Sequence, residues 1–277
     1  MIDRPRRPGP TVRAKVRELT EAGERRHDDR LATEEPLEIR LAWPGSPARR
    51  VWVTMRTPGH DFELAAGWLV HEGLVRGTGH VASVAYCTDT DLSPEQEFNV
   101  VTVTLDAPPL SDPGHRHDTL GSGSSACGVC GKDSVASALT VSAAARWTGD
   151  LPEPDVVRGL PDVLREQQRV FDRTGGVHAA GLFTASGEPL VVREDVGRHN
   201  AVDKVTGARV LAGDPPAEAA MVVSGRAGFE LVQKALAAGV GALAAVGAPT
   251  SLSAKLAGEA GLVLYGFTSA RRCVRYT

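Results

Sequence analysis

Four cysteines, Cys87, Cys127, Cys130 and Cys273, are too sparse in 277 residues to staple a disulfide scaffold, so their chemistry is expected to be catalytic, metal-binding or packing. No apolar run approaches the roughly 18 to 20 residues that span a bilayer. The opening MIDRPRRPGP lacks the apolar core of a signal peptide. A cytoplasmic setting with mostly reduced thiols is the expectation. Neither sign of charge dominates, since 31 Lys and Arg stand against 34 Asp and Glu, for a net charge of -3. That balance argues against a broad nucleic-acid or membrane-binding surface, and any anionic ligand has to be held by local clusters. Internal repeats and low-complexity arrays are also missing.

The chain is long enough, and at 42% hydrophobic residues apolar enough, to bury the core of one large or two modest domains. Residues 1–33 are rich in Arg and Pro with little periodicity and read as a mobile N-terminal arm. Residues 34–115 read as a small α+β domain. In it LEIRLAW and RRVWVTMR flank the turn former PGSP, a hairpin with Leu37, Ile39 and Leu41 facing Val51, Val53 and Met55. HDFELAAGWLVHEGLV sets Phe62, Ala65, Ala66 and Leu69 at helical spacing, with Asp61 as N-cap and a stop near Gly73. The strand-like VASVAY and NVVTVTL follow. The Pro-, Gly- and Ser-rich APPLSDPGHRHDTLGSGSS then carries the domain boundary.

Residues 116–277 alternate helix and strand patterns, which predicts an α/β layered sheet. Helices are expected to begin at Lys132, Pro161, Asn200, Gly228 and Ser251. The strands between them, AAGLFT, PLVVRE, AAMVVS, ALAAV and LVLYGF, are short and apolar, as strands covered on both faces are.

SSACGVCGK holds Cys127 and Cys130 three residues apart behind a Gly- and Ser-rich approach, just before a helical pattern. A helix N-terminus and the nearby Lys132 favour a thiolate, and the surrounding glycines let a loop present sulfur to successive partners. The spacing alone leaves three chemistries open: disulfide exchange, a zinc site completed by Cys87, Cys273 or a histidine, and sulfur carriage.

A second pattern lies further on. REDVGRHNAVDKV passes from strand to helix with Arg198, His199 and Asn200 at the junction and Lys204 one turn in, an arrangement suited to an anion. SGRAGFELVQKAL repeats it with Ser224 and Arg226, and GAPTSLSAKLAG again. LYGFTSARR brings Phe267, Arg271 and Arg272 to a strand end. In open α/β sheets such strand ends line a ligand crevice, so a nucleotide-like ligand is expected. His60 and His71 read as structural, His115 and His117 as loop residues, and His178 as either structural or catalytic.

Taken in order, EEPLEIRL, TPGHDFELAAGWLVHEGLV, SSACGVCGK, FDRTGGVHAAGLF, REDVGRHNAVDKV, SGRAGFELVQKA, GAPTSLSAKLA and LYGFTSARR closely resemble the FdhD family of formate dehydrogenase accessory sulfurtransferases, over about Glu34 to Tyr276. The resemblance implies a three-layer, cytidine-deaminase-like α/β domain over 116–277 and a homodimer. It implies that Cys127 takes sulfur as a persulfide from a cysteine desulfurase and, assisted by Cys130, passes it to the Mo-bis(molybdopterin guanine dinucleotide) cofactor of formate dehydrogenase. That cofactor is a bound substrate, with no intrinsic metal. The resemblance further implies that Phe267, Thr268, Ser269, Ala270, Arg271 and Arg272 contact the cofactor. We extend the contacts by inference to His178, Asp195, Arg198, His199, Asn200, Lys204, Ser224 and Arg226. Two readings from other classes stand beside it. A zinc or thiol–disulfide module would act as a binding chaperone. A zinc deaminase would need H-x-E followed by P-C-x-x-C, whereas Ala180 stands at the Glu position and the cysteine pair comes earlier.

Overall fold

The computed structural model describes residues 7–77, 79–88, 92–93, 96–113 and 145–277. Cys127, Cys130, the helix expected from Lys132, His115, His117 and the 115/116 boundary lie outside the described residues.

Strands β3 (Glu35–Trp43) and β4 (Ser46–Arg56) form the expected hairpin, and with β5 (Val81–Tyr86) and β6 (Val100–Leu105) they build a four-stranded sheet in the order β4-β3-β6-β5. The hairpin register differs from the expected one. A register shift falls between Ile39 and Arg40, so Leu37 pairs with Thr54 and Ile39 with Trp52, while Met55 is 43% exposed. One extra residue reverses the side-chain alternation, which puts Val51 inward before the shift and Thr54 and Arg56 inward after it.

Helix α1 (Asp61–His71) covers this sheet through Leu64, Ala65, Trp68 and Leu69. Asp61 is its first residue and not its cap; His60 holds the cap position at φ 58°. The Asp61 carboxylate instead accepts from Arg56 Nε at 3.0 Å and from the Tyr86 hydroxyl at 2.8 Å. A fully buried guanidinium is tolerable only with such pairing.

The second unit is built on a six-stranded sheet in the order β12-β11-β10-β9-β7-β8. Its strands are β7 (His178–Phe183), β8 (Pro189–Asp195), β9 (Ala220–Val223), β10 (Ala242–Ala245), β11 (Val263–Ser269) and β12 (Arg272–Arg275). The central strands β9, β10 and β11 run parallel. Successive side chains go to opposite faces. Leu182, Met221, Val223, Leu243 and Leu264 meet helices α4 (Arg198–Ala212), α5 (Phe229–Ala238) and α6 (Ser251–Ala260). Phe183, Ala220, Val222 and Tyr265 meet α2 (Pro154–Glu166). Burial on both faces thus explains the apolar runs of β7, β9 and β10, whereas the edge strand β8, expected to be covered on both faces, leaves Leu190 exposed.

Three sequence expectations need correction here. The helix expected from Pro161 begins at Pro154, and Pro161 sits inside it, where its ring leaves the Val157 carbonyl without a helical N–H. The short helix α3 (Arg169–Thr174) and strand β12 were not foreseen. Residues expected to have little regular structure form a hairpin, β1 (Thr11–Thr20) paired with β2 (Gly23–Ala32). Its signal was present in the alternation of Val12, Ala14 and Val16 with Arg13, Lys15 and Arg17.

The two larger units meet through α1 and α4, whose backbones touch. A Cβ on Gly67 would lie 1.8 Å from the Asp203 carbonyl oxygen, and one on Gly207 would lie 1.8 Å from that of Glu63. Around this crossing the seam is polar and buried. Lys204 Nζ lies 2.6 Å from Asp195 Oδ2 and donates to the Thr57 carbonyl at 2.8 Å, while Asn200 Nδ2 donates to the Met55 carbonyl at 2.8 Å. Asp203 is held by His71 and Lys234, and Glu63 takes a two-pronged grip from Arg193, with Nη2 at 2.8 Å. Burial pushes the Glu63 carboxyl up, but Arg193 and His60 more than reverse this and bring it down to about 2.

Gly67→Ala or Gly207→Ala is expected to cost about 3 kcal/mol or more in urea unfolding, since backbone and not a flexible side chain must give way. Glu63 is ionised in the folded chain well below its ordinary value of 4.5, so its stabilisation is complete above that value and is lost as pH falls toward 2. Glu63→Gln is expected to flatten the stability loss across that window, as measured by unfolding at a series of pH values.

Candidate functional site

The parallel strands β9, β10 and β11 end on one edge of the large sheet, and because β7 is antiparallel to β9 its first residue reaches the same edge. His178, Ser224, Val246, Thr268 and Ser269 therefore converge on a cleft of about 680 Å³. This is the crevice at the carboxyl ends of strands that the sequence led us to expect, and its size falls in the range of small-ligand sites.

The rim is stitched by main-chain hydrogen bonds. Val246 N donates to the Val223 carbonyl at 3.2 Å, Gly247 N to Gly225 at 2.9 Å, and Phe267 N to Gly247 at 3.0 Å. Three strand-end turns are thereby held in fixed relation before any ligand arrives. Ser224 is anchored as well, its Oγ accepting from Ala179 N at 2.9 Å.

The FTSARR segment supplies the most unusual backbone. Phe267 has φ 50°, in the left-handed region that a bulky residue seldom occupies, and it lies in a register shift between Gly266 and Ser269 that interrupts the β11–β12 ladder. The residue is 39% exposed, with the Arg272 guanidinium 5.0 Å from the ring centroid. Thr268 is buried, yet among the described residues its Oγ1 is one of the side-chain atoms without a hydrogen-bond partner. A buried hydroxyl left unpaired is costly. Ser269, Ala270, Arg271 and Arg272 are exposed beside it.

His178 is half-buried. Burial pushes its imidazole below the ordinary value, Arg198 and His199 push it the same way against a smaller pull from Asp195, and the ring is neutral near pH 7. Arg198, the first residue of α4, and Arg226, in the turn leading into α5, are exposed, and the N-caps of these helices, Gly197 and Gly228, make no side-chain cap. The third anion-ready terminus is closed by its own cap, since Thr250 Oγ1 accepts from Ser253 N.

The other predicted contacts go elsewhere. Asp195, Asn200 and Lys204 are buried in the seam with their polar atoms engaged there, and none of them lines the cleft. His199 is buried with Nε2 2.7 Å from Glu230 Oε2. Burial raises the Asp195 carboxyl, with Lys204 opposing. Ala180, at the position a deaminase would give to Glu, is a core residue on β7. Cys87, 3.7 Å from Arg40, adjoins the four-stranded sheet and Cys273 lies on β12 of the other, so these two cysteines do not share a site.

One wall of the cleft was missed in the sequence. Leu164, Arg165 and Gln168 from α2 and its C-terminal turn, with Phe171 of α3, face the strand ends across Gly175 and Gly176. The Gly-Gly turn was the available signal, but nothing local told which side of the sheet α2 would cover.

The comparisons with known proteins agree with this architecture. The model of the FdhD/NarQ family matches residues 32–277. Proteins named sulfur carrier protein FdhD from Streptomyces avermitilis and Nocardia farcinica are each 47% identical to this chain, covering 93% of it and 90% and 89% of their own lengths. The Mycobacterium tuberculosis protein of that name is 45% identical, with 93% of each chain covered. A solved structure from Desulfotalea psychrophila, described as a formate dehydrogenase accessory protein, aligns over 96% of each chain with a TM-score of 0.71 at 22% identity, a likeness of fold. Fold, collinear blocks and relatives together place this chain in the FdhD/NarQ family.

Proposed function

We propose that this chain is a sulfurtransferase that carries a persulfide on Cys127 and delivers its outer sulfur to a Mo-bis(molybdopterin guanine dinucleotide) substrate held at the strand-end cleft. The observation that supports it most is Thr268, a buried hydroxyl without a partner in a rigid cleft, inside the segment for which the family resemblance implies cofactor contact. Arg271 and Arg272 stand beside it as cations for a pyrophosphate.

The chemistry balances with two thiols. The Cys127 thiolate attacks the outer sulfur of a desulfurase persulfide, forming Cys127–S–SH and returning the donor cysteine as a thiolate. Cys130 then attacks the inner sulfur. The outer sulfur leaves as sulfide for the substrate metal, and Cys127 and Cys130 are left as a disulfide that a cellular dithiol reduces. The reading carries a cytoplasmic setting, a cysteine desulfurase as donor and formate dehydrogenase as the final recipient. A cleft of about 680 Å³ suits one guanine nucleotide arm, so a homodimer with two clefts accounts for both arms of the substrate. Descent from a cytidine-deaminase-like scaffold belongs to the same reading, without deaminase chemistry because Ala180 stands where the proton-transfer Glu would be.

Incubation with a cysteine desulfurase and L-cysteine is expected to add a sulfur atom, read by mass spectrometry, to the wild-type chain and to Cys130→Ala but not to Cys127→Ala. Sulfur on Cys127→Ala would overturn the assignment. GDP serves as a probe of one substrate arm. Thr268→Val is expected to weaken its binding roughly 3- to 10-fold, the worth of one hydrogen bond, without loss of thermal stability. Unchanged GDP affinity in both Thr268→Val and Arg272→Ala would remove the cleft from the proposal.

A further inference from the structure

Among the described residues the β1–β2 hairpin joins neither of the larger sheets, and neither strand has a third neighbour. A two-stranded ribbon with both edges open is marginal in water and offers two rows of unpaired backbone groups. Its side chains divide unevenly between the faces. Val12, Ala14, Val16 and Glu18 lie opposite Leu31, Asp29, His27 and Arg25 on one face. On the other, Arg13 lies directly opposite Arg30, Arg17 opposite Arg26, and Lys15 opposite Asp28.

Like charges placed opposite one another oppose strand pairing, so the second face works against the hairpin that displays it. Little within the ribbon relieves this. Glu24 Oε1 lies 3.6 Å from Arg17 and 3.8 Å from Arg26, one carboxylate between two guanidiniums whose side chains are 64% and 81% exposed. Arg30 has the Thr11 hydroxyl at 3.4 Å. Five cations, Arg13, Lys15, Arg17, Arg26 and Arg30, thus share the carboxylates of Asp28 and Glu24.

The ribbon is rooted beside the cleft. β2 packs against α3, and the Ala32 methyl lies 3.5 Å from where a Cβ on Gly176 would stand, Gly176 being a cleft residue. The family model begins at residue 32, the last residue of β2.

We infer that the hairpin is a docking arm whose basic face binds an acidic, extended segment of a protein partner, which adds to a hairpin edge as a further strand and neutralises the opposed arginines. Open strand edges favour a polypeptide, because main-chain pairing gives affinity and alternate side chains give specificity. A net charge of -3 over the whole chain lacks the broad positive field of nucleic-acid binders. Docking there brings the partner to the rim of the cleft, and this inference stands whether or not that cleft holds the proposed substrate.

The test uses the full chain and a fluorescein-labelled peptide of about ten residues alternating Glu and Thr, the length of one hairpin strand. Anisotropy is expected to show binding that weakens with salt, that is absent for the Gln-for-Glu peptide, and that drops at least tenfold in Arg13→Ser/Arg17→Ser/Arg26→Ser. Arg13→Glu is the second variant. It turns an opposed pair into an attractive one, so the hairpin is expected to resist proteolysis better than wild type while losing peptide affinity. Equal affinity in wild type and the triple variant, or no binding to wild type at low salt, overturns the inference. So does tighter, hairpin-dependent binding of a single-stranded DNA of equal charge, which would make nucleic acid the occupant.

Discussion

The backbone contact between α1 and α4 fixes the position of everything else. Gly67 and Gly207 let the two helices approach until carbonyl oxygens fill the space where methyl groups would stand, and the helices carry their own sheets with them. Such closeness leaves no room for apolar side chains at the crossing. The seam around it is therefore held by charges and amides: Asp195 with Lys204, Asp203 with His71 and Lys234, Glu63 with Arg193. Each is buried or nearly so, and each tolerates burial only because its partner comes from another element. The result is a junction that is specific in register, since sliding either helix by one turn would strand several charges together.

That junction also governs the cleft. α4 starts where β8 ends, and the turn between them contains Asp195 and Gly197, both committed to the seam through Thr57 and Asn200. Pinning this turn sets the position of Arg198 and, through β7, of His178. On the other side the strand-end hydrogen bonds from Gly225 to Phe267 hold the remaining rim. The left-handed backbone of Phe267 and the unpaired hydroxyl of Thr268 stand side by side at this hydrogen-bonded rim, where the surrounding structure holds them in place.

Much of this was legible in the residues. Alternation and short apolar runs located most of the strands, and turn residues such as Gly228 and Ser251 marked helix starts to within a residue. Of the residues given an anion-binding role, Ser224, Thr268 and Ser269 line the strand-end cleft. The same reasoning gave Asn200 and Lys204 a place at the ligand, because a polar residue in the first turns of a helix has the same local signature whether it faces solvent or a neighbouring unit. Pro161 misled for a similar reason: a proline usually opens a helix, and only packing of α2 on the sheet sustains one in its interior.

The sequence by itself determined the family, the mixed α/β character and most of the sheet strands, because these depend on period, composition and short motifs that act within a few residues. Tertiary structure alone decided which charged residues are buried partners across a seam and which remain at the cleft, how the β3–β4 register shift turns Met55 outward, and that Leu164 and Phe171 close the far wall. Those outcomes depend on contacts between residues distant along the chain, and burial, unlike periodicity, is a property of the neighbours a side chain acquires only on folding.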